Sequence, residues 1–162
     1  MGQGANYGTL PLFYGALTPM PNNAAPIAIS AEVPNFTWRE VSSRTTGQLI
    51  VSPLFWDTIH LAQALRWWWG APFVVNCGHR TQADNERVGG APRSMHLRFA
   101  LDLRPTLRNP IVSDLPQRQQ LPAAIEALAA EADRMGFGGI GLYNTFIHLD
   151  CRSRKARWDK RT

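Results

Sequence analysis

The chain has 162 residues, 44% hydrophobic and 18% charged, with six tryptophans, a composition that supports one globular domain with its own core. A net charge of +5 and a pI near 9.9 point to an anionic partner. No grouping of basic and aromatic residues resembles a nucleic-acid module, and no window of about 20 apolar residues reads as a membrane span.

Residues 1 to about 35 are rich in Gly, Pro, Ala and Asn without helical or strand periodicity, and read as an extended leader or partner-binding arm. The folded domain is expected over 36–162. Ser52-Pro53 opens a helix, because serine caps well and proline suits the first helical position. Leu54, Phe55, Ile59, Ala62, Leu65 and Trp69 recur at helical spacing and Gly70 ends the run. The Trp67-Trp68-Trp69 run cannot face one side, so at least one ring should stay near the surface. His60, inside this helix, reads as a structural or surface residue.

Pro72 to Cys77 is a β-rich run, and the polar stretch from Thr81 suits a helical turn or two. Phe99 to Leu103 reads as a strand and 105–116 as a loop broken by prolines. A second helix is expected from Pro122 to Met135, with Gly136 as its stop. Gly138 to Tyr143 and Phe146 to Cys151 then form a hairpin. The expected fold is α+β, a small antiparallel sheet with helices packed on one side. The basic C-terminal run, Arg152 to Arg161, reads as a solvated tail, with attraction to the anionic bacterial envelope or to nucleic acid as alternatives. Cys77 and Cys151 form no disulfide framework and read as free buried thiols.

Three residues in two short stretches can bind one zinc ion. Ser94-Met95-His96 runs to Ala100-Leu101-Asp102, and Phe146-Ile147-His148 is followed by Leu149-Asp150. Two imidazoles and a carboxylate suit zinc and leave a fourth position open. Around them lie Cys77-Gly78-His79-Arg80-Thr81, Asn85, Val88-Gly89-Gly90, Gly139-Ile140-Gly141-Leu142-Tyr143 and Ala156-Arg157-Trp158. In this order and spacing, the segments resemble the zinc D-alanyl-D-alanine carboxypeptidases and related peptidoglycan peptidases, which share a fold with the hedgehog signalling domain.

The resemblance spans about Phe36 to Trp158. It implies zinc held by His96, Asp102 and His148, and a substrate contact from Arg80; Ser94, two residues before His96, either hydrogen-bonds substrate or caps the loop. Asp150 is expected to be the catalytic general base, or else the acceptor that orients an imidazole. The family's tyrosine beside the arginine is His79 here. The glycine that follows the first metal histidine is absent, so the His96-to-Asp102 interval is one residue short. An even separation along an extended strand would still put both on one face.

The resemblance implies a zinc-dependent peptidase acting on an amide bond of the peptidoglycan peptide, as a D,D-carboxypeptidase or an endolysin-like endopeptidase. The alternative is a phage virion or tail structural protein that keeps the fold with weak or no catalysis. A non-catalytic wall-binding module is a third reading. The N-terminus lacks a basic n-region and a continuous apolar h-region, so no secretory signal is read there. The expectation is therefore a phage-encoded or virion-associated protein, made in the cytoplasm and acting at the cell wall. Its leader would be able to contact virion proteins.

Overall fold

A computed structural model describes residues 27–162. Most of the stretch expected as a leader lies outside the described residues; its last part is described and forms two strands. Strands β1 (Ala28–Ser30) and β2 (Val33–Thr37) pair as an antiparallel hairpin, with Ile29, Val33 and Phe36 in the core. These apolar side chains give the segment a reason to fold that its Pro/Gly-rich surroundings obscure. A capping box joins the hairpin to helix α1 (Trp38–Val41): Thr37 Oγ1 accepts from Glu40 N, and the Glu40 carboxylate accepts from Thr37 N.

Helix α2 (Pro53–Trp69) begins and ends as expected. Ser52 Oγ accepts from Phe55 N, and Gly70 closes the helix in the left-handed conformation at φ 69°. Trp69 is fully buried while Trp67 and Trp68 are exposed. Strand β3 (Phe73–Cys77) leads to helix α3 (Gln82–Arg87), and a 3-10 turn, Met95–Leu97, precedes strand β4 (Leu101–Pro105). The loop expected over 105–116 contains a short helix, α4 (Pro110–Ser113). Asn109 caps it, accepting from Ile111 N, and ties it to α2 by donating to the Trp69 carbonyl.

Helix α5 (Gln117–Met135) starts earlier than Pro122, which lies inside it. Gln120 Nε2 donates to the Leu115 carbonyl and anchors this added turn to the preceding loop. Strands β5 (Gly139–Leu142) and β6 (Ile147–Asp150) form the expected hairpin, closed by stacked Tyr143 and Phe146 rings 4.3 Å apart.

The basic terminus is not a frayed tail. Ala156–Asp159 forms strand β7, paired parallel with β5. Arg157 and Lys155 pair with Asp133 on α5, and Arg161 pairs with Asp159 and with Glu126, also on α5. The α+β class holds, but the five-stranded sheet is mixed, in the order β3-β4-β6-β5-β7, rather than wholly antiparallel.

Period-2 alternation divides the central strands between two tasks. Leu101, Leu103, Ile147 and Leu149 enter the core with Phe55, Ile59, Leu65 and Leu128 of α2 and α5. The residues between them, Asp102, His148 and Asp150, lie on the other face. No helix among the described residues is long and apolar enough to cross a membrane.

Candidate metal centre

Strand register lays one row of side chains across the sheet. Cys77 of β3 lies opposite Asp102 of β4, Asp102 opposite His148 of β6, His148 opposite Gly141 of β5, and Gly141 beside Trp158 of β7. His96 reaches the row from the 3-10 turn. Asp102 Oδ1 is 3.2 Å from His96 Nε2 and 2.9 Å from His148 Nδ1. All three residues are buried, and the two imidazoles meet edge-on at 4.9 Å.

The missing glycine does not separate these residues. His96 is on a tight turn rather than on the strand, so strand parity is not what unites it with Asp102. Arg98 N and Phe99 N both donate to the Met95 carbonyl, at 2.9 and 2.8 Å, and this tight turn leads into β4. Ser94 precedes this turn, and its side chain makes no capping bond.

The far nitrogen of each imidazole is committed. His96 Nδ1–H donates to the Gly78 carbonyl at 2.7 Å, and His148 Nε2–H donates to Asp150 Oδ2 at 3.0 Å. A neutral imidazole has only one N–H, so each ring then directs a lone pair at the same carboxylate oxygen. Two nitrogen lone pairs and an anionic oxygen converge, an arrangement that needs protons or a metal cation between them. The residues fit zinc, and both rings have the orienting acceptor typical of metal-bound histidines.

With protons in that role, burial acts to lower the His96 pKa. Hydrogen bonds to Asp102 and Cys77 outweigh it and raise the value to about 10. For Asp102, burial favours the neutral acid, but hydrogen bonds from His148 and His96 hold the carboxyl well below its usual range.

Cys77 belongs to the cluster. Its sulfur, one ligating atom of His96 and one of Asp102 all lie within 4.8 Å of one another. This grouping differs from the His96, Asp102 and His148 set expected from the motif. His148 contacts the group through Asp102, while Cys77, read simply as a free thiol, enters it directly. The one sequence signal for Cys77 is its place immediately before Gly78-His79-Arg80, within the resembled segment.

Asp150 is fully buried, and both its oxygens are occupied. Oδ1 accepts from Arg152 N and Nε at 2.9 and 2.8 Å, and Oδ2 accepts from His148 and from Arg152 Nη2 at 2.6 Å. Burial alone would raise its pKa, but the Arg152 and His148 bonds hold it well below the usual range. Arg80 borders the cluster: Nε donates to Cys77 Sγ at 3.1 Å, and Nη2 lies 3.7 Å from Asp102 Oδ2. Arg80, Cys77, His79 and Arg44 line a pocket of about 300 Å³. His79 is buried with Nδ1 unpartnered, and burial lowers its pKa.

A family model described as Peptidase M15 matches residues 34–150. The chain belongs to the peptidase M15 family. No curated protein matches it. The M15 family is zinc-dependent, which agrees with a buried His/Cys/Asp donor cluster on the sheet.

Two glycines of the M15 chain make room for this centre. A Cβ on Gly141 would collide with the Trp158 ring, and one on Gly139 would collide with Asp150 Oδ2. The Trp158 ring packs 5.1 Å from His148, and its Nε1–H donates to Tyr143 Oη. Gly141→Ala is therefore expected to force the indole off His148 and lower unfolding stability by about 1–3 kcal/mol. Denaturant titration checks this; unchanged stability would mean that the indole swings aside without cost.

Proposed function

We propose that this M15 protein is a zinc peptidase that hydrolyses an amide bond in the peptide part of peptidoglycan. The observation that carries the reading is the convergence of His96, His148 and Asp102 on one point, with each imidazole oriented from behind. His96, Asp102 and His148 would hold the ion. Zinc, when bound, polarises a scissile carbonyl and makes water a nucleophile near neutral pH.

The chain's own residues have distinct tasks in this proposal. The Gly78 carbonyl and Asp150 fix the two imidazoles. Because both Asp150 oxygens are engaged, the geometry favours its orienting role over the general-base role. Arg80 borders the 300 Å³ pocket, where a guanidinium can hold a peptide carboxylate or carbonyl by paired hydrogen bonds. Ser94, two residues before His96, is proposed to bind substrate.

The reading as a virion component with decayed catalysis drew on the shortened His96-to-Asp102 interval. The 3-10 turn absorbs that shortening, so the catalytic reading is the better supported. Action at the bacterial cell wall, with delivery by a phage or its particle, is part of the same proposal.

Digestion of purified peptidoglycan by the zinc-loaded protein, followed by mass analysis, tests the function. Release of D-alanine would identify a carboxypeptidase, and release of cross-bridge fragments an endopeptidase. A chelator should stop either and added zinc should restore it. No cleavage by zinc-loaded protein would overturn the reading.

A further inference from the structure

We propose that Cys77 is a fourth ligand to the same ion, giving this chain a Cys-His-His-Asp centre. The inference rests on the metal site proposed above and adds a thiolate to it. Cys77 shares the cross-sheet row with Asp102 and His148, and its sulfur lies within 4.8 Å of ligating atoms of both His96 and Asp102. Ligands around zinc, with bonds of about 2.0–2.3 Å, stand roughly 3.3–3.7 Å apart. A contraction of about an ångström brings the sulfur into that range of His96 and Asp102, and His148, which touches the group through Asp102, closes on the ion with them.

A backbone irregularity aims this side chain. Val75 pairs with Leu103, so unbroken register would set Cys77 opposite Leu101, on the core side. The register shift between Val75 and Cys77 places it opposite Asp102 instead. Arg80 Nε–H, donating to Cys77 Sγ at 3.1 Å, supplies the positive partner that a thiolate favours. On metal binding the thiol proton leaves to solvent and the sulfur lone pair forms the new bond.

Coordination by Cys77 changes the character of the site. Three protein ligands leave a tetrahedral position open, whereas four fill it. The thiolate then occupies the place that hydrolysis needs and must leave it before substrate can react.

Cobalt(II) is the probe, added to the full chain after chelator treatment. Wild-type protein should show tetrahedral visible bands together with a near-ultraviolet thiolate-to-cobalt charge-transfer band. Cys77→Ser should lose the charge-transfer band, keep the visible bands, and bind zinc at least ~10-fold more weakly. Cys151→Ser should retain both features. Visible bands without charge transfer in the wild type would overturn the Cys77 assignment and leave the metal site standing. A charge-transfer band that survives in Cys77→Ser would overturn it as well. Absence of any cobalt uptake would overturn both. If Cys77→Ser fails to fold, Cys151→Ser decides the matter: retention of the charge-transfer band there assigns it to Cys77, and its loss overturns the assignment.

Discussion

Asp102→Asn is expected to weaken zinc binding severely, and with it the hydrolysis proposed above, while leaving the protein folded. Asp102 Oδ1 is the atom both histidines share, at 3.2 and 2.9 Å. Its charge compensates whatever cation, proton or metal, sits between them. Asparagine keeps the shape and volume of the side chain but removes that charge. Its amide N–H groups can donate to the imidazole lone pairs, so the cluster is satisfied without a cation. Burial then acts on His96 without the opposing Asp102 charge and moves its pKa down from the value near 10.

Asp102→Ala would instead leave buried partners uncompensated, at a cost of about 3–5 kcal/mol, and would confuse loss of metal with loss of fold. For Asp102→Asn we expect zinc affinity to fall more than about 100-fold, beyond the effect of losing an orienting group. Competition against a chelating dye measures it, with thermal unfolding as the folding control. Zinc binding at wild-type strength would remove Asp102 from the ligand set.

What was legible in the sequence was local. Ser52, Pro53 and Gly70 delimit α2 because caps act within a turn of the helix end. The β5–β6 hairpin follows from two β-rich runs close together in sequence. That His96, Asp102 and His148 would lie together was also readable, because they stand in recognisable surroundings. How they meet was not. His96 approaches on a 3-10 turn, and Asp102 meets His148 through β4–β6 pairing of residues far apart in the chain.

What the sequence did not reveal has a shared cause. Cys77 faces the cluster only because the β3–β4 register slips by one residue, which no periodicity within β3 reveals. The run from Arg152 to Arg161 looks like a solvated tail until its acids are located. Asp150 lies beside it in the chain, but Asp133 and Glu126 come from α5, and the parallel neighbour β5 is joined to β7 by way of β6. The sequence leaves Asp150 open between general base and orienting acceptor, and the Arg152 bonds that occupy its oxygens come from the same basic run. In each case a side chain's role was set by a partner on another element.

Inserting glycine between Arg98 and Phe99 is expected to weaken zinc binding and turnover together, even though it restores the interval of the resembled pattern. In the native turn, Arg98 N and Phe99 N converge on the Met95 carbonyl, and Phe99 is fully buried with its ring 4.7 Å from Phe55. Both ends of the segment are therefore held: His96 by the Gly78 carbonyl, and Phe99 by the core. An added residue has two ways to be accommodated. It can bulge outward, breaking the bonds to Met95 and releasing the turn that aims His96. Or it can slide β4 against β3 and β6, which moves Asp102 out of its row and turns Leu101 and Leu103 from the core. Displacing a reacting group by about an ångström can cost roughly a hundredfold in rate, and we expect a loss of that order. Zinc titration and peptidoglycan turnover, measured side by side on the two proteins, decide the outcome. A gain in both would mean that the short turn strains the native site, and that the tight Met95–Phe99 connection is a defect the core tolerates rather than the feature that sets the metal geometry.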